Sequence, residues 1–169
     1  MTASNKSTLN ASRQDRYLKA VELLDSAHSY TRLGAVHALV TLVDEYLVDE
    51  SLSEEEKRTE GQRIVDVLCA YIRAPFELTS HYYELNREEL TGFYADSPEK
   101  FSADRAAFRE EAHIRQTLIE KISDRMRWSL ADGVAELPHG YPEHDCVVPG
   151  NWSEFTYDFS GSVFFYPVD

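Results

Sequence analysis

The chain has 169 residues, of which 43% are hydrophobic and 28% charged, the proportions of an ordinary globular domain. Seventeen Lys and Arg stand against 30 Asp and Glu, and the net charge of −13 disfavours binding to nucleic acid or to anionic membranes. No apolar run approaches the ~20 residues that cross a bilayer, so we expect no membrane insertion.

The first twelve residues, MTASNKSTLNAS, are polar throughout and predict a disordered lead-in over residues 1–12. They lack the apolar centre of a signal peptide. Two cysteines are too few for a disulfide framework. Together these features predict a reduced, cytoplasmic protein.

Apolar residues spaced three and four apart predict a helical hairpin over residues 13–48. Gly34, Ala35 and Ala38 form a patch of small residues, which we expect to let another helix approach closely. His37, in the stretch AVHALV, is expected to pack between helices rather than act as a base. The predicted buried positions of the second helix are Leu33, Val36, Leu39, Val40, Val43 and Leu47.

A further helix is predicted after a charged connector. Ser53 followed by Glu56 has the form of a capping box, and Pro75 is expected to end the helix. Cys69 lies in the apolar run IVDVLCAYI, which predicts a buried and unreactive thiol. The segment 76–97 is rich in aromatic residues without a clear period, and we expect an ordered excursion with a short helix near 86–92.

The last predicted helix is long and begins at Ser97 and Pro98, as the cap and first residue. Its basic residues alternate with acidic ones, which predicts a solvent-exposed face of ion pairs rather than a phosphate-binding track. The basic residues are Arg105, Arg109, Arg115, Lys121, Arg125 and Arg127, and the predicted buried stripe comprises Phe108, Ala112, Leu118, Ile119, Ile122 and Met126.

The composition changes after the helical part. Residues 13–130 are predicted to form one helical module, and the turn-rich residues 131–152 an irregular connector. In the final stretch, FTYDFSGSVFFYPVD, aromatic and β-branched residues alternate around a Ser-Gly pair. This pattern predicts a short β segment over residues 153–169, so the predicted fold class is mainly α with a C-terminal β segment.

Two resemblances to known proteins can be seen in these segments, one in a single helix and one in the order of the segments along the chain. The stretch YTRLGAVHALVTL resembles a HEAT-type repeat helix, with Arg32, Ala35, Ala38, Leu39 and Leu42 at the matching places. The order of RYLKAVELLDS, RLGAVHALVTLVDE, RIVDVLCAYIRAPF, IRQTLIEKISDRMR and FTYDFSGSVFF resembles the helical N-terminal module of bacterial pentapeptide-repeat proteins.

In that family a helical module precedes a right-handed β-helix built from five-residue repeats. The resemblance implies that the C-terminal stretch is the first coil, with Phe159 and Phe164 as inward-facing centres and Ser162 as a small residue between them. It also implies a fragment of a longer repeat protein, or a product that has lost its repeats. The tail is then expected to fold back on the helices or to pair with the tail of a second copy, giving a homodimer.

The sequence predicts no catalytic, cofactor-binding or metal-binding residues. His139, His144 and Cys146 share a turn-rich segment, but their spacing matches no standard zinc pattern, and a fourth ligand is missing from it. The carboxylates lie on charged helical faces rather than in apolar surroundings that would raise their pKa values for catalysis. We therefore expect no enzyme activity and no cofactor.

The function expected from the resemblance is protein–protein interaction, or capping and presenting a β-helix. The first coil of a solenoid needs a cap because it exposes apolar side chains and unpaired strand edges. The alternative is an acidic mimic of nucleic acid, since some pentapeptide-repeat proteins imitate duplex DNA and bind topoisomerases. The identity of a protein partner does not follow from the sequence.

Overall fold

The chain is mainly helical in the computed structural model, which describes residues 3–127 and 149–166. The α-helices are α1 (Ala3–Leu23), α2 (Ser29–Leu47), α3 (Glu54–Arg73), α4 (Tyr82–Leu85) and α5 (Pro98–Met126), and two short 3₁₀ helices cover Glu77–His81 and Gly92–Tyr94. The mainly helical part of the predicted fold class is thereby confirmed. None of these helices combines the length with the apolar character that crossing a membrane requires.

Helix α1 begins at Ala3, well before the hairpin predicted from residue 13 and within the predicted disordered lead-in. Tertiary contacts stabilise this polar segment. Lys6 Nζ donates a hydrogen bond to the Ser51 carbonyl at 2.9 Å, and the buried Arg13 pairs with Asp49 at 2.6 Å. Hydrogen bonds from Ser51 and Arg13 lower the pKa of Asp49 to about 2.

Helix α2 is central and packs against α1, α3 and α5. Ser53 and Glu56 form the predicted capping box at the start of α3, and Pro98 lies in the first turn of α5 as predicted. One hydrophobic core joins these helices to the C-terminal segment. Its buried members include Leu39 and Val43 of α2, Ile64 and Leu68 of α3, Ile114 and Leu118 of α5, and Trp152 and Phe155.

Of the small-residue patch of α2, Ala35 is buried, whereas its other two members are not covered by another element. A Cβ added to Gly34 would meet nothing within 4 Å, and Ala38 is also exposed. At Gly61 of α3, in contrast, an added Cβ would lie 2.5 Å from the Phe155 ring. Position 61 of α3 therefore requires a glycine, because the Phe155 ring of the C-terminal segment, rather than another helix, packs against it.

The two glycines give a matched pair of substitutions. Gly34→Ala should raise the free energy of unfolding by about 0.5–1 kcal/mol, because alanine restricts the unfolded chain and favours a helix interior. Gly61→Ala has the same helical benefit, but it should lower stability by about 1–3 kcal/mol, since the Phe155 ring must move. Urea unfolding measures both, and a stabilised Gly61→Ala variant would contradict the seating of Phe155 on α3.

The excursion at residues 76–97 is ordered, as predicted, but the prediction of a short helix near 86–92 is wrong. Helix α4 and the two 3₁₀ helices lie on either side of residues 86–91, which form a polar loop. The reason is burial: Leu85 and Tyr94 are the two buried residues of this part, and each fixes a helical turn against α5. Gly92 has a φ of +58°, which suits a turn rather than a helix.

The C-terminal β segment predicted over residues 153–169 is not supported. Residues 153–166 contain no strand, and the segment described from 149 makes only an isolated bridge between Arg127 and Pro149. Its aromatic side chains instead fold back on the helices. Trp152 and Phe155 enter the main core, while Phe165 and Tyr166 pack in a second cluster with Phe101 and Phe108.

Candidate functional site

A continuous row of aromatic rings joins the excursion to the C-terminal segment. Each ring contacts the next, with centroids 5.0–6.4 Å apart. We call this row the aromatic seam. Its members, in spatial order, are Tyr83, Tyr82, Phe108, Phe165, Tyr166, Phe164, Phe159 and Tyr157.

The aromatic seam is buried in the middle and exposed at its Tyr83 end and at Phe164, while its Tyr157 end is partly buried against the main core. Phe108 and Phe165 are buried, whereas Tyr83 is 77% exposed at one end and Phe164 is 45% exposed near the other. Each ring pair contributes about 0.5–1.5 kcal/mol beyond its buried area. The seam therefore fixes the C-terminal segment to the helices and leaves aromatic surface available for contact.

Arg115 lies beneath the centre of the seam. Its guanidinium is 5.4 Å from the Phe165 ring centroid and donates hydrogen bonds to the carbonyls of Ile72 and Ala74 at 2.8 and 2.9 Å. These carbonyls belong to the end of α3, where a cation also interacts favourably with the helix dipole. Arg115 thus joins α5, the end of α3 and the C-terminal segment.

Glu111 compensates the charge of Arg115, and both side chains are buried. The Glu111 carboxylate accepts a hydrogen bond from Arg115 Nε at 2.7 Å. It also accepts from Arg32 of α2 and from the Tyr71 hydroxyl of α3, at 3.1 and 3.0 Å. Burial, together with the nearby Glu111 charge, raises the pKa of Tyr71 to about 12.

The prediction that the charged residues of α5 form an exposed ion-paired face is therefore wrong for Arg115, whose pair with Glu111 is buried. The four-residue spacing of this pair was visible in the sequence, but burial depends on partners in α2 and α3. Arg125 also makes a tertiary contact, since its guanidinium pairs with Asp44 of α2 at 2.8 Å. Arg109 and Arg127 are exposed.

The Asp44–Arg125 pair fixes the start of the C-terminal segment. Trp152 is fully buried, and its indole Nε1 donates a hydrogen bond to Asp44 at 2.8 Å. The backbone N–H groups of Gly150 and Trp152 donate to the carbonyls of Met126 and Arg125, at 2.8 and 3.2 Å. A side chain at Gly150 would collide with the Arg125 carbonyl.

Polar contacts with α3 continue along the segment. Gln62 exchanges two hydrogen bonds with the backbone of Thr156, at 2.8 and 2.9 Å. Arg58 pairs with Glu154, and Arg73 pairs with Asp158. These contacts lie between the Trp152 anchor and the Arg115–Phe165 anchor, so the segment is attached along its length.

The candidate metal-binding and catalytic residues of the sequence differ in their surroundings. His139, His144 and Cys146 lie outside the described residues. His37 is exposed instead of packed between helices, and desolvation with the nearby Lys121 and Arg125 charges lowers its pKa. Cys69 is buried as predicted, and burial raises the pKa of its thiol. Over 3–127 and 149–166, no group of three or more His, Cys, Asp or Glu side chains has the arrangement of a metal site.

No family model matches the sequence, and no curated protein or solved structure matches the chain. The geometry of the described residues therefore carries the proposal of function. That geometry combines two buried anchors for the C-terminal segment with an aromatic seam that is exposed at Tyr83 and at Phe164. Such an arrangement suits noncovalent recognition and the rigid presentation of a peptide segment.

Proposed function

We propose that the chain is a non-catalytic protein-interaction module that holds the start of a pentapeptide-type coil against its helices and caps it. The observation that carries this proposal is the attachment of residues 149–166 at two buried anchors, Trp152 with Asp44 and Arg115 with Phe165. A cap must cover the apolar side chains and open backbone at the end of a solenoid. The helices cover Phe155, Phe159 and Phe165 in this way.

The local geometry of the segment supports a coil-like interpretation. Phe159 and Phe164, five residues apart, contact each other with centroids 6.4 Å apart. Between them, Ser162 N donates to the Phe159 carbonyl at 3.1 Å, and Gly161 has a φ of +73°, as a tight turn requires. A further coil stacked on this turn would cover the exposed Phe164 ring.

Fusion of repeats to the chain tests the capping role. Three or more coils of a designed five-residue repeat, which suffice for a solenoid to bury its faces, are attached after residue 169, and the last coil carries charged residues along its outer edge so that this far end does not associate. The fusion should be monomeric by size-exclusion chromatography with light scattering, because the helices protect one end of the solenoid. The same coils alone should aggregate through their open edge.

The matched control carries the same coils before residue 1, where the composition is identical but the C-terminal anchors cannot act on the repeats. This control should aggregate as the free coils do. Equal monomer content in the two fusions, or free coils that remain monomeric, would show that the helices do not cap.

The alternative role, mimicry of nucleic acid, requires carboxylates that face a partner. Asp44, Glu45, Asp49 and Glu111 are instead paired with arginines of the same chain. This intramolecular pairing is the reason for which we favour capping over mimicry.

A further inference from the structure

The excursion at residues 76–97 exposes several aromatic rings on a short segment. Tyr83 and Phe93 are 77% and 57% exposed, and Tyr82 is also exposed. The two C-terminal anchors, Trp152 with Asp44 and Arg115 with Phe165, use none of these three rings. A large exposed aromatic surface commonly marks a site of protein contact.

The same excursion is acidic. Residues 77–99 contain six carboxylates but a single arginine, Arg87. Glu88 and Glu89, between α4 and the 3₁₀ helix at Gly92–Tyr94, are both exposed. An exposed surface that combines carboxylates with aromatic rings is complementary to positively charged side chains.

The rings stand on a fixed scaffold. Tyr94 is buried and donates a hydrogen bond from its hydroxyl to Asp104 at 2.9 Å, and Leu85 is buried beside it in the second cluster. The Phe93 ring stacks on His81 with a centroid distance of 4.6 Å. Because the excursion is already ordered, binding would cost little additional conformational entropy.

Cations already lie over aromatic rings within this chain. Lys100 Nζ is 5.6 Å from the Phe93 centroid, and the Arg105 guanidinium is 5.4 Å from the Phe101 centroid. Both contacts belong to the region around the excursion. Only Phe93 belongs to the excursion, and an arginine of a partner would have to displace Lys100 from it; Phe101 is a buried ring of α5.

We propose that the exposed surface formed by Tyr82, Tyr83, Phe93, Glu88 and Glu89 binds an arginine-rich extended segment of a partner protein. Guanidinium groups would stack on the exposed Tyr83 ring and on the Phe93 ring, from which they would displace Lys100, and would pair with the two carboxylates. Arginine is favoured over lysine because its planar group stacks on aromatic rings and binds carboxylates through two hydrogen bonds. This surface is separate from the anchors of the C-terminal segment, so the proposal does not depend on capping.

The test uses a fluorescein-labelled peptide of alternating arginine and glycine, measured by fluorescence anisotropy with the full chain at 0.15 M salt, where the Debye length is about 8 Å. The chain should bind this peptide at least several-fold more tightly than the matching lysine–glycine peptide. The double variant Tyr83→Ser, Phe93→Ser should weaken binding by about tenfold or more, which corresponds to the loss of two cation–π contacts. Because both side chains are exposed, circular dichroism should show an unchanged fold.

Matched controls separate this surface from general attraction to an acidic protein. Tyr30 is 74% exposed on α2, so Tyr30→Ser removes a comparable ring outside the excursion and should leave affinity unchanged. Glu88→Gln with Glu89→Gln should weaken binding, whereas Glu54→Gln with Glu55→Gln, at the start of α3, should not. Equal losses in the two carboxylate variants, unchanged binding by the serine double variant, or equal affinity for the two peptides would overturn the proposal.

Discussion

Replacing Arg115 by methionine is expected to lower the free energy of unfolding by about 3–5 kcal/mol, the range for a broken buried ion pair. Methionine keeps much of the length of the side chain but removes one of the two guanidinium groups that compensate Glu111, the other being that of Arg32. It also removes the donors to the Ile72 and Ala74 carbonyls at the end of α3. Urea unfolding followed by circular dichroism measures the change.

The control is Arg109→Met on the same helix. Arg109 is exposed, and its replacement should change stability by less than about 0.5 kcal/mol. A second variant, Arg115→Met with Glu111→Leu, removes both buried charges and should recover part of the loss. An Arg115→Met variant as stable as the Arg109→Met control would show that the buried network contributes little.

The helices could be predicted because their signals are local. The capping box of Ser53 and Glu56 and the proline at residue 98 each depend on residues within one helical turn. The apolar spacing of α2 indicated the correct face, since Leu39 and Val43 lie in the core, and Cys69 in the apolar run of α3 is buried there as predicted. For the same reason, the start of the long helix at Pro98 was predicted correctly.

The candidate site could not be predicted in this way, because its contacts join distant parts of the chain. Arg115 and Glu111 have the four-residue spacing of a surface ion pair, and only Arg32 and Tyr71, from two other helices, make this pair part of the interior. The alternating aromatic residues of the C-terminal segment indicated a strand by the same kind of local pattern. In the folded chain Phe155 is instead buried against α3.

The start of helix α1 likewise could not be predicted from local sequence patterns. Its first turns carry little apolar surface, so composition predicted disorder over residues 1–12. Helix formation there depends on contacts of Lys6 and Arg13 with Ser51 and Asp49, after the end of α2. A polar segment can thus be helical when its charged side chains find buried or partly buried partners.

Trp152→Ala is expected to lower the free energy of unfolding by about 3–5 kcal/mol, because it removes a fully buried aromatic side chain and leaves a cavity. It also removes the hydrogen bond from the indole to Asp44 and the ring against which Phe155 and Arg125 pack. Trp152→Phe keeps an aromatic ring but loses the N–H donor, so its loss should be smaller. Urea unfolding of the two variants separates the effect of volume from that of the hydrogen bond.

The control for Trp152→Ala is Val163→Ser, a change at an exposed position of the same segment that should cost less than about 0.5 kcal/mol. Limited proteolysis adds a readout specific to attachment: Trp152→Ala should speed cleavage within residues 153–166 more than within α2, because the segment loses its first buried contact. Equal acceleration in both regions would indicate global destabilisation rather than release of the segment. Preferential release would in turn predict that the C-terminal repeat fusion carrying Trp152→Ala aggregates, since a cap acts only while the first coil stays fixed to the helices.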